Sequence, residues 1–410
     1  MKLSSLGCFR NGMNYEKSAV TDGYKMIGVA DFGNRVFPDI RSLSEIDSSI
    51  VSEENLLQNG DILFVRSNGN KNLVGRSMFM RNIEEPICYS GFCILLRPNL
   101  EIVLPEYLFY ALRSPFCRKQ YSYSQQTNIT NLSQTVLGAV DVPVPDIEAQ
   151  RNLSGILSYL DQKIALNSQL CTELESMAKT LYDYWFTQFD FPDENGKPYR
   201  SSGGEMVWND QLKREIPKGW EIGAVSDLMK IENTSVNPQK LGNTVMEHYS
   251  IPAFDTDHNP AYEEANTIES GKYSVDSECI LTSKLNPHFK RLWDPYCDTK
   301  NAICSTEFIV YRPRSVWTRP FCYAVLNSDA FYTHMAGKAI ASTGSRKRIQ
   351  PDVSASFVLA MPDKKTMRAF VELYAPVMEK QKALYKENRE LTKLRDWLLP
   401  MLMNGQATVE

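Results

Sequence analysis

The sequence is poor in the residues and spacings that carry chemistry. It has only four histidines, His248, His258, His288 and His334, and no two stand in H-x-x-x-H, which excludes a zinc hydrolase of that kind. Nine cysteines are scattered along the chain without a single C-x-x-C. A zinc site or disulfide framework is not expected, and reduced thiols are. No G-x-x-x-x-G-K-[ST] and no strand-borne G-x-G-x-x-G occurs, so no phosphate loop or dinucleotide site is signalled. The densest apolar patches, 92–96 and 357–361, fall far short of the roughly 18 residues a spanning helix needs. The opening MKLSSLGCFRNG has no apolar signal core. A soluble protein acting in the cytoplasm, with no membrane partner, is the expectation.

With 410 residues, of which 43% are hydrophobic and 23% charged, the chain is long enough for two to four domains and too apolar for wholesale disorder. The net charge of −4 argues against a protein that coats nucleic acid non-specifically. That average hides an asymmetry. Residues 221–270 carry 2 basic and 9 acidic side chains, whereas 274–350 carry 11 and 6. A locally basic face on an acidic chain fits a site-specific binder of a polyanion, although chance clustering on a solvated surface gives the same numbers.

The sequence also says the same thing twice. LSSLGCFRN (3–11) is echoed by VSDLMKIEN (225–233), and SGFCILLRP (90–98) by STEFIVYRP (305–313). With a shift of 217, Leu132 falls on Ile349, Pro145-Asp146 on Pro362-Asp363, Glu173-Leu174 on Glu390-Leu391 and Leu181 on Leu398. Each half begins with a mixed region of strand-like runs (61–67, 92–98, 307–313) and short helical stretches such as 106–114. A proline step follows, VPVPD at 142–146 and MPD at 361–363, and then a long segment of heptad character. The first seam runs Leu153, Leu157, Leu160, Ile164, Asn167, Cys171, Leu174, Ala178, Leu181, Trp185. The second runs Phe370, Tyr374, Val377, Gln381, Leu384, Asn388, Leu391, Arg395, Leu398, Leu402. A 3.5-residue period over four heptads is a coiled-coil seam, and its polar members would fix register. Two amphipathic helices, each packed on its own domain, are the alternative. Pro376 is expected to kink or fray the second helix.

The fold expected is α+β, with two repeated domains joined by two long helices that pair as an antiparallel coiled coil about a pseudo-two-fold internal repeat. Its parts are a first domain at 1–145, a first helix at 146–188, a linker at 189–215, a second domain at 216–362 and a second helix at 363–406. The linker, with FPDENGKPYRSSGGE, reads as a surface loop.

Catalytic readings find little support. Asn286-Pro287-His288-Phe289 and Asp294-Pro295-Tyr296-Cys297 approach the Asn/Asp-Pro-Pro-aromatic motif of amino-methyltransferases, but both lack the second proline, and turn chemistry explains them. Pro192-Asp193 and Pro362-Asp363 lack the downstream acid and lysine of a magnesium nuclease. Neither catalytic residues nor metal ligands are assigned.

Binding signals are stronger. Loop 66–76 follows a strand and offers Arg66, Lys71 and Arg76 with Ser67, Asn68 and Asn72. Its counterpart, 283–293, offers Lys284, His288, Lys290 and Arg291. A second polar loop, 123–134, holds Gln125, Thr127 and Asn128, and is matched at 340–351 by Ser345, Arg346, Lys347 and Arg348. Cations hold phosphates, and Asn, Gln, Arg and Lys can read base edges. Each loop alone is more often just a solvated turn, and it is the corresponding loops in both halves that favour DNA contact. On the helices, the candidate pairing and partner-binding positions are Leu157, Leu160, Ile164, Leu174, Leu181, Tyr184 and Trp185, with Leu384, Leu391 and Leu398.

NGDILFVRSNG (59–69), VPVPDIEAQRNLSGILSYLDQKI (142–164), LYDYWFTQFDFP (181–192), IPKGWE (216–221), TGSRKRI (343–349) and LTKLRDWLLPMLMNG (391–405) form a linked series along the chain. That series resembles the specificity subunit of type I restriction-modification systems. The resemblance implies two target recognition domains, each reading half of a split double-stranded DNA target. It implies helices that act as a spacer and carry modification subunits, two of them, with a restriction subunit in the complex. It further implies no catalysis and no cofactor in this chain, because the methyl donor, magnesium and ATP serve the partner subunits. Two departures stand out. DKKTMRAF (363–370) lacks the Glu148-Ala149-Gln150 of the first copy, and the first half has no I-P-x-G-W header. A stand-alone methyltransferase or nuclease is the competing class, and a scaffold that binds no DNA is a third.

Overall fold

A computed structural model of the protein describes residues 1–16, 19–33, 35–70, 73–122, 131–341 and 346–405. The chain forms two compact units, Met1–Leu166 with Asn388–Glu410, and Asn167–Glu387. The content is mixed sheet and helix. No helix among the described residues is long and apolar enough to cross a membrane.

In the first unit a four-stranded antiparallel sheet runs in the order Gly7–Asn11, Cys93–Pro98, Ile62–Val65, Ser77–Phe79. The two central strands are apolar at almost every position because both sheet faces are covered. Successive side chains point to opposite faces, and the burial follows that period. Ile62, Phe64, Ile94 and Leu96 join the core under the helix Pro105–Arg113, whereas Leu63, Val65, Cys93 and Leu95 join a second core with Ile27, Ile87 and Tyr89. A three-stranded sheet, Ser44–Ile46, Tyr24–Ile27, Ile87–Tyr89, contains a parallel pair with Lys25 opposite Ile87.

The second unit has the same strand order in its four-stranded sheet: Met229–Ile231, Phe308–Pro313, Ile280–Ser283, Leu292–Trp293. Its other sheet has five strands and again a parallel pair, Glu247 opposite Ala302. The arginine of each R-P dipeptide ties the central strand to the loop before its neighbour. Arg97 grips buried Asp61 through Nε (2.8 Å) and Nη2 (2.7 Å). Arg312 holds Glu232, Asp276 and Glu278.

The proline steps are helix starts. The Asp146 carboxylate accepts from Ala149 N–H (2.8 Å) at the head of the helix Ile147–Tyr182. The Asp363 carboxylate accepts from the N–H groups of Lys365 (2.8 Å) and Thr366 (3.0 Å) at the head of Lys364–Met403. An aspartate in this place satisfies backbone donors that have no partner within the helix. The first helix ends in a widened π turn, Asp183–Thr187, where Gln188 N–H reaches Asp183 O at 2.8 Å. Pro376 does not break the second helix. Glu372, whose carbonyl the missing N–H leaves without a helical donor, is exposed along with Pro376, so water can take that role.

In the first unit Arg395 Nη1 donates to Asp161 Oδ1 (2.8 Å), and Asn388 Nδ2 to Ile164 O (3.2 Å). In the second, Asn167 Nδ2 donates to Glu387 Oε2 (2.8 Å), and Gln381 Nε2 to Cys171 O (3.1 Å). All twenty seam positions are buried or half-buried.

The stretch after the first helix is a surface loop over most of 192–205, as expected, but its two ends are not. Phe189 and Phe191 are buried against Trp220, and Met206–Asn209 pairs with Arg214–Pro217 as a hairpin. These aromatic side chains in a polar segment have more to gain from the core than from water. Phe370 is the hub of that core. Its ring lies 4.8 Å from Phe186, 5.0 Å from Tyr374, 5.7 Å from Trp185 and 6.1 Å from Phe321. Truncation should therefore remove both burial and several ring contacts. The expected cost of Phe370→Ala is about 3–5 kcal/mol, read from denaturant unfolding. A loss below about 1 kcal/mol, typical of a surface position, would contradict this packing.

Candidate nucleic-acid interface

Each unit brings together the two polar loops singled out in its half of the sequence. In the first unit the strand Ile62–Val65 delivers Arg66, whose N–H donates to Phe92 O (2.8 Å) and whose carbonyl accepts from Leu132 N–H (2.8 Å). Ser67 and Asn131 form the adjoining bridge. In the second unit Lys284 holds the corresponding place. Its N–H donates to Glu307 O (2.9 Å), its carbonyl accepts from Ile349 N–H (3.1 Å), and Leu285 bridges Arg348. Loops about 65 residues apart in sequence are thus joined edge to edge at matching positions.

The side chains have distinct surroundings. Arg66 is half-buried and its Nη1 lies 3.4 Å from Gly91 O. Asn68 closes its own turn, accepting from Asn70 N–H at 2.8 Å. Arg76 donates to Gly33 O. Gly75 has φ +79°, and a Cβ there would stand 3.0 Å from the Tyr121 ring, so the loop needs glycine at this point. Lys71, Asn72, Gln125, Thr127, Asn128 and Ser345 lie outside the described residues.

In the second unit Asn286 takes φ +49° and locks the two loops together. Its Oδ1 accepts from Lys347 N–H (2.9 Å), and its own N–H donates to Lys347 O (2.7 Å). His288 is exposed beside Phe289. Lys290 Nζ sits 5.8 Å above the Tyr332 ring, and desolvation holds its ammonium below the usual lysine range. Arg291 is engaged by Asp255 through Nε (2.7 Å) and Nη2 (2.8 Å). Arg348 is engaged by Glu307 through Nη2 (2.8 Å) and Nε (3.1 Å). Both arginines therefore brace the loops with their charged ends. Arg346 and Lys347 are exposed.

Reasoning from cations and amides alone passes over Phe289, an aromatic side chain 53% exposed at the loop tip with the Arg291 guanidinium 5.2 Å from its ring. An exposed aromatic ring in a basic loop is of the kind that can stack on an unpaired base. The signal was present in SKLNPHFKRLW as the one large apolar side chain between His288 and Lys290. Among the described residues no group of three or more His, Cys, Asp or Glu is placed to hold a metal.

On the helices, Leu157, Leu160 and Leu384 are buried, and Ile164, Leu174, Leu181, Leu391 and Leu398 are half-buried. Trp185 is buried in the core of its unit, together with Tyr182 and Phe186, while Tyr184 is 37% exposed.

Each unit thus presents joined loops with exposed cations or amides, and side chains of these kinds can hold a polyanion. Residues 1–176 match the family model for the type I restriction modification DNA specificity domain. The chain is 25% identical over 322 residues to the type I restriction enzyme MjaIX specificity subunit of Methanocaldococcus jannaschii, covering 75% of this chain and 70% of that one. It is also 25% identical over 415 residues to the HindI specificity subunit of Haemophilus influenzae, covering 85% and 87%. The fold is shared with the type I restriction-modification S subunit from M. genitalium, at a TM-score of 0.54 and 14% identity over 98% of this chain and 95% of that one. The chain is thus similar to type I restriction-modification specificity subunits over most of its length, and the match to their DNA specificity domain lies in residues 1–176.

The different surroundings of neighbouring cations lead to opposite expectations. Lys347→Ala should lower the slope of log affinity against log salt by about one and leave the melting temperature unchanged. Arg291→Ala should instead lower stability by about 1 kcal/mol, or about 2–4 °C. Identical behaviour of the two variants in DNA titration and thermal melting would contradict the division.

Proposed function

We propose that this protein is the sequence-reading subunit of a type I restriction-modification complex, and that each recognition domain reads one half of a split duplex target. The observation that carries this reading is the recurrence, in both units, of two polar loops joined at corresponding residues, Arg66 with Leu132 and Lys284 with Ile349. A reader of two half-sites needs two such places, and the same strand order in both four-stranded sheets supports their descent from one repeated module.

The recognition domains are 1–145 and 216–362, the spacer helices 146–188 and 363–406, and the linker 189–215. The spacer reading is supported by contacts in which residue numbers rise along one helix as they fall along the other: 161 with 395 and 164 with 388, then 167 with 387 and 171 with 381. This order supports an antiparallel coiled coil with polar residues fixing its register. The helices dock the modification subunits, two of them, and Tyr184, with Tyr159 and Trp397, is among the exposed aromatic side chains that could make such a contact. A restriction subunit completes the complex, which acts in the cytoplasm. This chain performs no catalysis. The methyl donor, magnesium and ATP are used by its partners.

Mapping methylated sites in cells that carry the system should reveal a target with two defined ends and an undefined gap. In the same cells Arg66→Ala should relax one end only, by about 1–3 kcal/mol if the guanidinium makes a bidentate base contact. The purified chain alone, given labelled methyl donor and DNA, should transfer no label. Robust transfer, a continuous target, or relaxation at both ends would contradict the proposal.

A further inference from the structure

We infer that Asp294 in one unit and Asp161 in the other are positioning residues that set the angle of each recognition domain on its helices, and through that angle the gap tolerated between half-sites. The inference rests on the split-target reading above.

Asp294 follows the strand Leu292–Trp293 and its side chain is 11% exposed. It pairs with Arg319 of the same recognition domain and with Lys382 Nζ of the second long helix at 3.2 Å. Arg319 is anchored in the domain, donating to the carbonyls of Cys279 (3.0 Å) and Glu278 (3.2 Å). Four residues on, Asp298 pairs with Lys386 Nζ at 2.7 Å, one helical turn beyond Lys382. A single loop thus grips two successive turns of the helix. The loop is itself held from behind. Fully buried Glu247 accepts from the N–H groups of Asp298 (3.1 Å) and Thr299 (2.8 Å) and from Tyr249 Oη (2.6 Å).

The apolar core around Phe370 holds the domain on the helix but does not fill this part of the joint. A cavity of about 150 Å³ lies beside the clasp, lined by Asp294, Lys382, Glu175, Trp293, Tyr323 and Tyr385. Across that void the charge pairs span the joint, and they hold the part of the angle that the packing leaves free. In the other unit Asp161, 1% exposed, plays the matching part from the helix side. It accepts from Tyr110 Oη of the recognition domain (2.8 Å) and from Arg395 of the second helix (2.8 Å). A domain of this size has a radius of gyration of about 15 Å. At that lever, a tilt of about 13° moves the reading loops by about 3.4 Å, one base-pair rise.

The test uses the complete complex with its modification subunits and duplexes carrying the mapped half-sites at the native gap and at gaps one or two base pairs longer or shorter. Methylation by the unaltered complex should favour the native gap over its neighbours by about tenfold, or about 1.4 kcal/mol. Asp294→Asn should flatten that preference to about threefold or less while the bases read at each end stay the same. Lys382→Met and Lys386→Met keep the apolar stems and guard against misfolding of the first variant. They should flatten it too, and Lys382→Arg should restore it. Retention of the full gap preference, or an equal loss of activity at every gap, overturns the inference alone. Absence of any gap preference in the unaltered complex overturns the split-target reading and the inference together.

Discussion

The buried ion pair between Asp161 and Arg395 is the constraint on which the helical part of the protein depends. Asp161 is 1% exposed and lies on a seam otherwise lined by Leu157, Leu160 and Ile164. Desolvating a carboxylate is tolerable only when its partner is in place. A slip of one heptad would set Asp161 opposite Asn388 or Leu402 in place of Arg395, leaving a buried charge without compensation. Asn167 with Glu387, and Gln381 with the Cys171 carbonyl, impose the same condition farther along the helices. Leucine alone at these positions would hold the helices more tightly and specify their register less. For a protein whose proposed task is to keep two reading sites a set distance apart, register is the property worth specifying.

The recognition loops follow from a second constraint, the sheet. Cys93–Pro98 and Phe308–Pro313 are each buried on both faces, so each carries a core above and below and cannot shift without exposing one of them. The strand beside each ends at the point where Arg66 or Lys284 begins its loop. Backbone bridges to Leu132 and Ile349 then bring in the second loop. Rigid sheets with variable loops at their edges can change the bases read without changing the scaffold. Arg291 and Arg348 belong to the scaffold side of this division, because Asp255 and Glu307 hold them.

Much of this was legible in the sequence. The runs at 61–67, 92–98 and 307–313 became Ile62–Val65, Cys93–Pro98 and Phe308–Pro313, because β-branched and aromatic residues bounded by turn residues have few other places to go. The proline steps marked both helix starts to within one residue. What stayed hidden depends on contacts between distant residues. No periodicity joins Arg291 to Asp255 or Arg348 to Glu307, so structural and exposed cations looked alike. Phe189 and Phe191 sat in a stretch whose polar composition outweighed two aromatic side chains, and their burial needed Trp220, about 30 residues away. The parallel strand pairs were equally invisible, since their partners, Lys25 with Ile87 and Glu247 with Ala302, are separated by other strands.

The role proposed for the long helices is to measure the gap between two reading sites. Deleting 165–171 together with 382–388 removes one heptad from each helix. It brings Arg389 to the place of Lys382 and Lys393 to that of Lys386, so cations remain where the helix meets the recognition domain. The helices shorten by about 10 Å, which is at most about 3 base pairs of duplex. Methylation measured on duplexes spanning a series of gaps should therefore peak at a shorter gap, with the bases at both ends unchanged. A peak that stays at the original gap, or a change in the bases read at either end, would contradict the account.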